Sequence, residues 1–261
     1  MGNQMILKCE NLSIGYMDKK TVNMVAKNVN LTLNKGKLIA LVGANGIGKS
    51  TLLRTLTGIQ KPISGTVYLK NKEIQEYSNA SLAQNLSLVL TEKLPPSNLT
   101  VFELIALGRQ PYTNWIGKLT EEDKSQIKQA IEMTKIEYLI HKKHYEISDG
   151  ELQTVLIARA LAQDTPLIIL DEPTTHLDLV HKFSLLKLLK NLTKKTQKCI
   201  LFSTHDIDLA IQLSDEMIVM TTENIVQDSP CKLIEKEVFN NLFNDCSIVF
   251  DPKKGKFVFD N

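Results

Sequence analysis

Apolar residues recur with two different periods along this chain. Near the N-terminus, MILKCENLSIGY (5–16), VAKNVNLTL (25–33) and GTVYLK (65–70) alternate apolar and polar positions and are separated by polar turns. That period of two predicts strands with one buried face. A second class of strand is short and apolar almost throughout: KLIALVG (37–43), LIIL (167–170), ILFS (200–203) and MIVM (217–220). Such runs predict parallel strands buried on both faces. Helical patterns lie between them. KFSLLKLLKNL (182–192) is amphipathic. So is the segment after Thr120, where Thr120 and Asp123 form a cap and Ile127, Ala130, Ile131 and Thr134 fall on one face.

From about 92 to 165 the strand signal fades and the pattern is mostly helical. LPPSN (94–98) marks the entrance and DTP (164–166) the exit. The expected organisation is an α/β core formed by residues 1–91 and 166–228, a helical subdomain inserted at about 92–165, and a tail, 229–261. The tail carries a helix and two strand-like runs, SIVF and KFVF.

Composition narrows the class without naming a function. With 261 residues, 43% hydrophobic and 23% charged, the chain matches a soluble globular protein with a full core. A net charge of +2 lacks the clustered basic excess of a nucleic-acid binder, so no nucleic-acid partner is expected. Cys9, Cys199, Cys231 and Cys246 are widely spaced with no CxxC pair, which reads as reduced thiols and not as a zinc site. The first residues lack the apolar core of a signal peptide, and Ile6 occupies the Ser/Thr position a myristoylation motif needs. No apolar run approaches the roughly 18 residues of a membrane span. Action at a membrane would require another chain to cross it.

The chemistry begins at Gly43-Ala44-Asn45-Gly46-Ile47-Gly48-Lys49-Ser50, which fits G-x-x-x-x-G-K-[ST] between an apolar strand and the helical run TLLRTLTG that opens at Thr51. Glycines let the backbone fold closely around phosphates with its N–H groups inward, and the helix N-terminus adds a favourable dipole. Lys49 supplies positive charge to the β- and γ-phosphates and Ser50 a hydroxyl to Mg²⁺; Thr51 belongs to the same nucleotide-binding set. Asp171 and Glu172 close the strand LIIL, where parallel sheets bind ligands. Asp171 is the candidate Mg²⁺ ligand through water, and Glu172 the candidate to polarise the water attacking the γ-phosphorus. His205, in STHDID, follows another apolar strand and is placed to hydrogen-bond the γ-phosphate or that water.

In ISDGELQTVLIARAL (147–161), Ser148 and Glu151 fit a capping box and Asp149 falls in the first turn, where an anion suits the helix dipole. The phosphate loop, the helical insertion, ISDGELQ, LIILDEPTTHLD and STHDID occur in one order. In this the chain resembles, over nearly its whole length, the ATP-binding subunit of an ATP-binding cassette (ABC) transporter. The resemblance implies a RecA-like P-loop NTPase core with an N-terminal antiparallel β-subdomain and an inserted α-helical subdomain. It implies an Mg²⁺-dependent ATPase. Two copies would bind head to tail and sandwich two ATPs, each between one copy's phosphate loop and the other's signature segment. Tyr16 matches the aromatic residue that stacks on adenine. Ser148 and Gly150 match the signature residues that meet the opposite γ-phosphate, while Asp149 replaces the family's first glycine. TTHLD (174–178) matches the loop linking the two sites, with Asp178 as its aspartate.

One family residue is missing. A glutamine that contacts Mg²⁺ and the attacking water should follow the strand NLSLVL; either Thr91 or Glu92 takes its place, and either could bind by oxygen. Within the family, TVFELIALGRQPYTNW (100–115) is similar to the ATPases of importers for iron-siderophores, haem and vitamin B12. That implies transmembrane permease subunits as partners, docked by residues 93–103, a substrate-binding protein acting through them, and a place on the cytoplasmic face of the membrane. The alternative is a soluble cassette ATPase acting mechanically without a permease; such chains often carry two cassettes, and this one has a single cassette.

Overall fold

A computed structural model of the chain describes residues 4–17, 21–90, 94–95, 97–242, 248–252 and 255–259. The alternating N-terminal runs form one antiparallel sheet. β1 (Met5–Met17) pairs with β2 (Val22–Asn34) on one side and β4 (Ser64–Leu69) on the other, and β5 (Lys72–Glu73) closes the edge. Its register sets Leu7 opposite Leu33 and Leu69, and Cys9 opposite Leu31 and Val67, so the apolar positions share one buried face.

The apolar runs form a second sheet of six strands. Its order is β10 (Ile225–Asp228), β9 (Glu216–Met220), β3 (Leu38–Gly43), β8 (Cys199–Ser203), β7 (Leu167–Leu170) and β6 (Leu86–Val89). All pairings are parallel except the β10 edge. Every residue of β3 is buried. Leu38, Ala40 and Val42 enter one apolar cluster, with the helical insertion, while Ile39 and Leu41 enter another, with the antiparallel sheet. The second cluster also takes Leu52, Leu53 and Leu56 of α1 (Lys49–Leu56), the helix that follows β3. A short helix, α2 (Asn79–Ala83), leads into β6.

The insertion is built on α3 (Val101–Ala106), α4 (Glu121–Thr134) and α5 (Asp149–Ala162), and each opens with a reciprocal capping box: Thr100 with Glu103, Thr120 with Asp123, Ser148 with Glu151. GRQPY (108–112), inside the stretch similar to the importer ATPases, is also a structural clamp. Arg109 Nε donates to Asp123 Oδ1 at 2.8 Å and Nη1 to the Ala162 carbonyl at 2.8 Å, and the guanidinium lies 3.9 Å from the centre of the Tyr112 ring. Arg109 and Asp123 are both buried, so this pair joins the turn after α3 to α4 and to the end of α5.

α6 (Leu179–Thr196) runs longer than its amphipathic pattern, to a left-handed stop at Gln197. α7 (Ile207–Leu213) follows β8. In the tail, α8 (Pro230–Glu235) precedes a hairpin of β11 (Ile248–Asp251) and β12 (Lys256–Phe259). Phe250 stacks on Phe239 at 4.8 Å and meets Phe257 edge-on at 5.1 Å, continuing the larger apolar cluster. Among the described residues no helix is long and apolar enough to cross a membrane.

Candidate functional site

The phosphate loop leaves the C-terminal end of β3, the third of six strands, and enters α1 through Gly48, whose φ of 111° lies in the left-handed region. A β-carbon built on Gly48 would fall 2.1 Å from Val25 Cγ1, so the position excludes a side chain on both counts. No side chain caps α1, which leaves its first N–H groups for an anion. Lys49 folds back beneath the loop, and its ammonium donates to the carbonyls of Gly43 at 3.0 Å and Ala44 at 3.2 Å. Burial lowers its pKa, against the opposing pull of the Glu172 and Asp171 carboxylates, so this cation sits in their field. Ser50 is exposed at the second residue of α1. The hydroxyls of Tyr16 and Thr51 share a hydrogen bond at 2.9 Å, tying the end of β1 to α1 while leaving Tyr16 51% exposed. The ring is therefore held beside the loop with surface available for stacking.

β7 and β8 end side by side and bring the acidic pair together. Ser203, fully buried, donates its hydroxyl proton to Asp171 Oδ1 at 2.6 Å and accepts the Glu172 N–H at 2.8 Å. Glu172 has a φ of 47°, uncommon for a residue with a side chain, and this bond holds it there. Its carboxylate accepts from Thr175 Oγ1 at 3.1 Å and lies 3.9 Å from His205 Nδ1. Thr174 Oγ1 donates to Asp206, which also binds Lys182 of α6, so the segments after β7 and β8 are laced together.

A second group forms where the linking loop meets the signature turn. Ser148 Oγ donates to Glu151 Oε2 at 2.8 Å and accepts the Glu151 N–H at 3.3 Å. Asp149 is the exposed first residue of α5. A β-carbon on Gly150 would sit 3.5 Å from Leu177 Cδ2 and 3.6 Å from His181 Cδ2. Asp178 caps α6 by accepting the His181 N–H at 2.8 Å, and accepts from His181 Nδ1 at 2.8 Å as well. These bonds hold the Asp178 carboxyl below its usual pKa, with the backbone bond the largest cause.

Of the residues singled out in the sequence, 43–51, Asp171, Glu172 and His205 therefore lie at the C-terminal ends of β3, β7 and β8, with Tyr16 tied to the loop, and Ser148, Gly150 and Asp178 lie in the second group. Thr91 and Glu92 fall outside the described residues. Sequence reading missed Ser203, Thr175 and His181. ILFS marked Ser203 only as the end of a strand, and nothing local shows that it faces Asp171. The donor set suits Mg²⁺: Ser50 and Asp171 offer hard oxygens, and no cluster of three or more His, Cys, Asp or Glu exists among the described residues. A magnesium ion held by few protein oxygens and by substrate phosphates requires no such cluster.

Residues 26–175 match the ABC transporter family. An uncharacterized ABC transporter ATP-binding protein of Methanocaldococcus jannaschii is 40% identical over 92% of this chain and 81% of its own length. The iron(3+)-hydroxamate import ATP-binding protein FhuC of Bacillus subtilis is 36% identical over 96% of this chain and 92% of its own. Among solved structures, an inward-facing ABC transporter classed as metal-chelate type superposes with a TM-score of 0.79 at 28% identity, covering 92% of this chain and 89% of that one. A dimeric ATP-binding cassette in a post-hydrolysis state, bound to ADP and phosphate, gives 0.73 at 27% identity, covering 86% and 99%. From the matched segment and from relatives alike over most of its length, the chain belongs to the ABC transporter family and is one of its ATP-hydrolysing cassettes.

Proposed function

We propose that this chain is the ATP-hydrolysing subunit of a membrane importer for iron-siderophore, haem or cobalamin-type metal chelates. The observation that carries the catalytic part is the gathering of the phosphate loop, the Asp171–Ser203–Glu172 relay and His205 at neighbouring strand ends. The cargo class rests on the likeness to FhuC and to the metal-chelate type transporter.

In this reading Tyr16 stacks on adenine. The N–H groups of residues 43–51 and the Lys49 ammonium hold the phosphates, and Ser50 and Asp171 hold Mg²⁺. Bound there, Mg²⁺ would supply charge neutralisation to the triphosphate. Glu172 polarises the attacking water and His205 holds the γ-phosphate. Catalysis then rests on positioning and on charge facing the departing phosphoryl group. Ser148 and Gly150 of a second copy complete each site head to tail, with Asp178 on the loop between the two sites. Asp149 keeps its carboxylate in solvent, so only the signature backbone and Ser148 face the phosphate. Residues 1–91 and 166–228 form the nucleotide core, about 92–165 the helical subdomain, and 229–261 a tail. Permease subunits dock near residues 93–103 at the cytoplasmic face of the membrane, and a substrate-binding protein delivers cargo on the far side.

The test is the mass of the Glu172→Gln variant in solution with ATP, with and without Asp149→Gly. Dimers in both support the reading. Dimers only after Asp149→Gly place the carboxylate against the phosphate and overturn the assignment of Asp149. No ATP-dependent dimer in either removes the head-to-tail site. For the cargo, ATP-driven uptake of a ferric hydroxamate by the complex with its permease is the deciding measurement.

A further inference from the structure

His181 joins two parts of the nucleotide machinery that sequence reading treated separately. Its ring is held by Asp178 through two bonds, backbone N–H to Oδ1 and Nδ1 to Oδ2, both 2.8 Å. A carboxylate only accepts, so Nδ1 carries the proton and the ring orientation is fixed. The Cδ2 edge then faces Gly150, close enough that an added β-carbon would make ordinary contact at 3.6 Å. Leu177, one residue before Asp178, lies on the same side, its Cδ2 3.5 Å from where a β-carbon on Gly150 would sit. Cavities of about 490 and 350 Å³ open beside this contact, and both are bordered by Gly150, Thr154 and His181. Around Gly150, then, the signature turn and the start of α6 leave space between them, and His181 and Leu177 line it opposite the glycine.

We propose that His181 is a positioning residue that couples the Asp178 loop to the signature turn of the same chain. This rests on the ATP-sandwich reading above, in which the two segments serve composite sites. A shift of Asp178 moves the imidazole through its bonds, and the imidazole edge then closes or widens its gap to the backbone at Gly150. A β-carbon would fit between the ring edge and the Gly150 backbone, so the two face each other across a narrow gap. Two features are therefore required together: a donor toward Asp178 and a ring edge toward Gly150.

Three substitutions in the full-length chain separate these features, because every one keeps the backbone cap on Asp178. His181→Ala removes donor and ring. His181→Asn keeps a donor near the Nδ1 position without the ring, and His181→Phe keeps a ring without the donor. The expected result is a fall in kcat of about tenfold for His181→Ala, with KM for ATP within about twofold of wild type and Tm almost unchanged, since exposed pairs contribute little to stability. Neither single-feature variant restores kcat. In the Glu172→Gln background, His181→Ala also weakens ATP-dependent dimerisation. Wild-type kcat for His181→Ala, or full rescue by Asn or Phe alone, overturns the coupling. Wild type measured alongside separates the two levels. If it neither hydrolyses ATP nor, as Glu172→Gln, dimerises with ATP, the ATP-sandwich reading fails and this proposal with it. An active wild type with an indifferent His181→Ala removes this proposal alone.

Discussion

The Ser203 hydroxyl donates to Asp171 at 2.6 Å and in the same geometry receives the backbone N–H of the next residue, Glu172, at 2.8 Å. One buried oxygen thus orients the carboxylate proposed for the metal and the backbone of the residue proposed to polarise water. Ser203→Ala should leave ATP binding within about threefold and lower kcat by about ten- to a hundredfold, because misplacement of a reacting group is costly. It should also cost about 1–3 kcal/mol of stability from the unsatisfied buried groups. Steady-state kinetics with a nucleotide titration checks this. Wild-type kcat would show that Glu172 keeps its left-handed backbone without the bond.

Tyr16 offers a ring to solvent and a hydroxyl to Thr51. Tyr16→Phe should change ATP affinity by less than about twofold, since the stacking surface remains. Tyr16→Ala should weaken it about fivefold, the equivalent of about 1 kcal/mol. Titration with a fluorescent ATP analogue distinguishes the two. Equal effects would mean that the hydroxyl tether, not the ring, is what matters.

Gly48 combines a left-handed φ with an approach of 2.1 Å between its missing β-carbon and Val25. Gly48→Ala should therefore cost about 1–3 kcal/mol in loop strain and reduce ATP affinity accordingly. Adding Val25→Ala relieves the clash but not the backbone conformation, so binding should recover only in part. Full recovery would assign the whole effect to the clash.

Asp123 links the fold to pH. Burial works against its charge, but the Thr120 hydroxyl and N–H and the Arg109 guanidinium outweigh it and hold its pKa below the usual value. The ionised form is the one the fold favours. Its stabilisation is complete above the unfolded carboxylate's pKa of about 4 and is lost as pH falls through the lower folded value. Asp123→Asn should therefore lower Tm at pH 7, and its Tm should fall less steeply than that of wild type below pH 4. Arg109→Ala, which strands the buried carboxylate, should cost about 3–5 kcal/mol in urea unfolding.

Legibility in the sequence followed distance along the chain. The phosphate loop is contiguous, so its eight residues declared strand, turn and helix together. The apolar runs announced buried strands, and each chemical group just beyond a run was therefore placed at a strand end. Asp171 and Ser203 are a different case: they meet only because β7 pairs with β8, and no local pattern records that neighbour. Arg109 and Asp123 read as a family mark and a helix cap until α3 and α4 were packed together. His181 was invisible for a smaller reason. The amphipathic pattern began at 182, and only an α6 that starts at Leu179 sets His181 against its cap.

The alternation of β3 has a mechanical consequence. Its odd and even side chains anchor the two apolar cores on opposite sides of one hydrogen-bonded plane. Such a plane is stiff, and close-packed side chains transmit displacement instead of absorbing it. A push delivered to the helical insertion is therefore resisted by the sheet along its broad face. The insertion is joined along the chain to the sheet only between β6 and α3 and through residues 163–166 between α5 and β7, so rotation of the insertion relative to the sheet is hinged at those two connections.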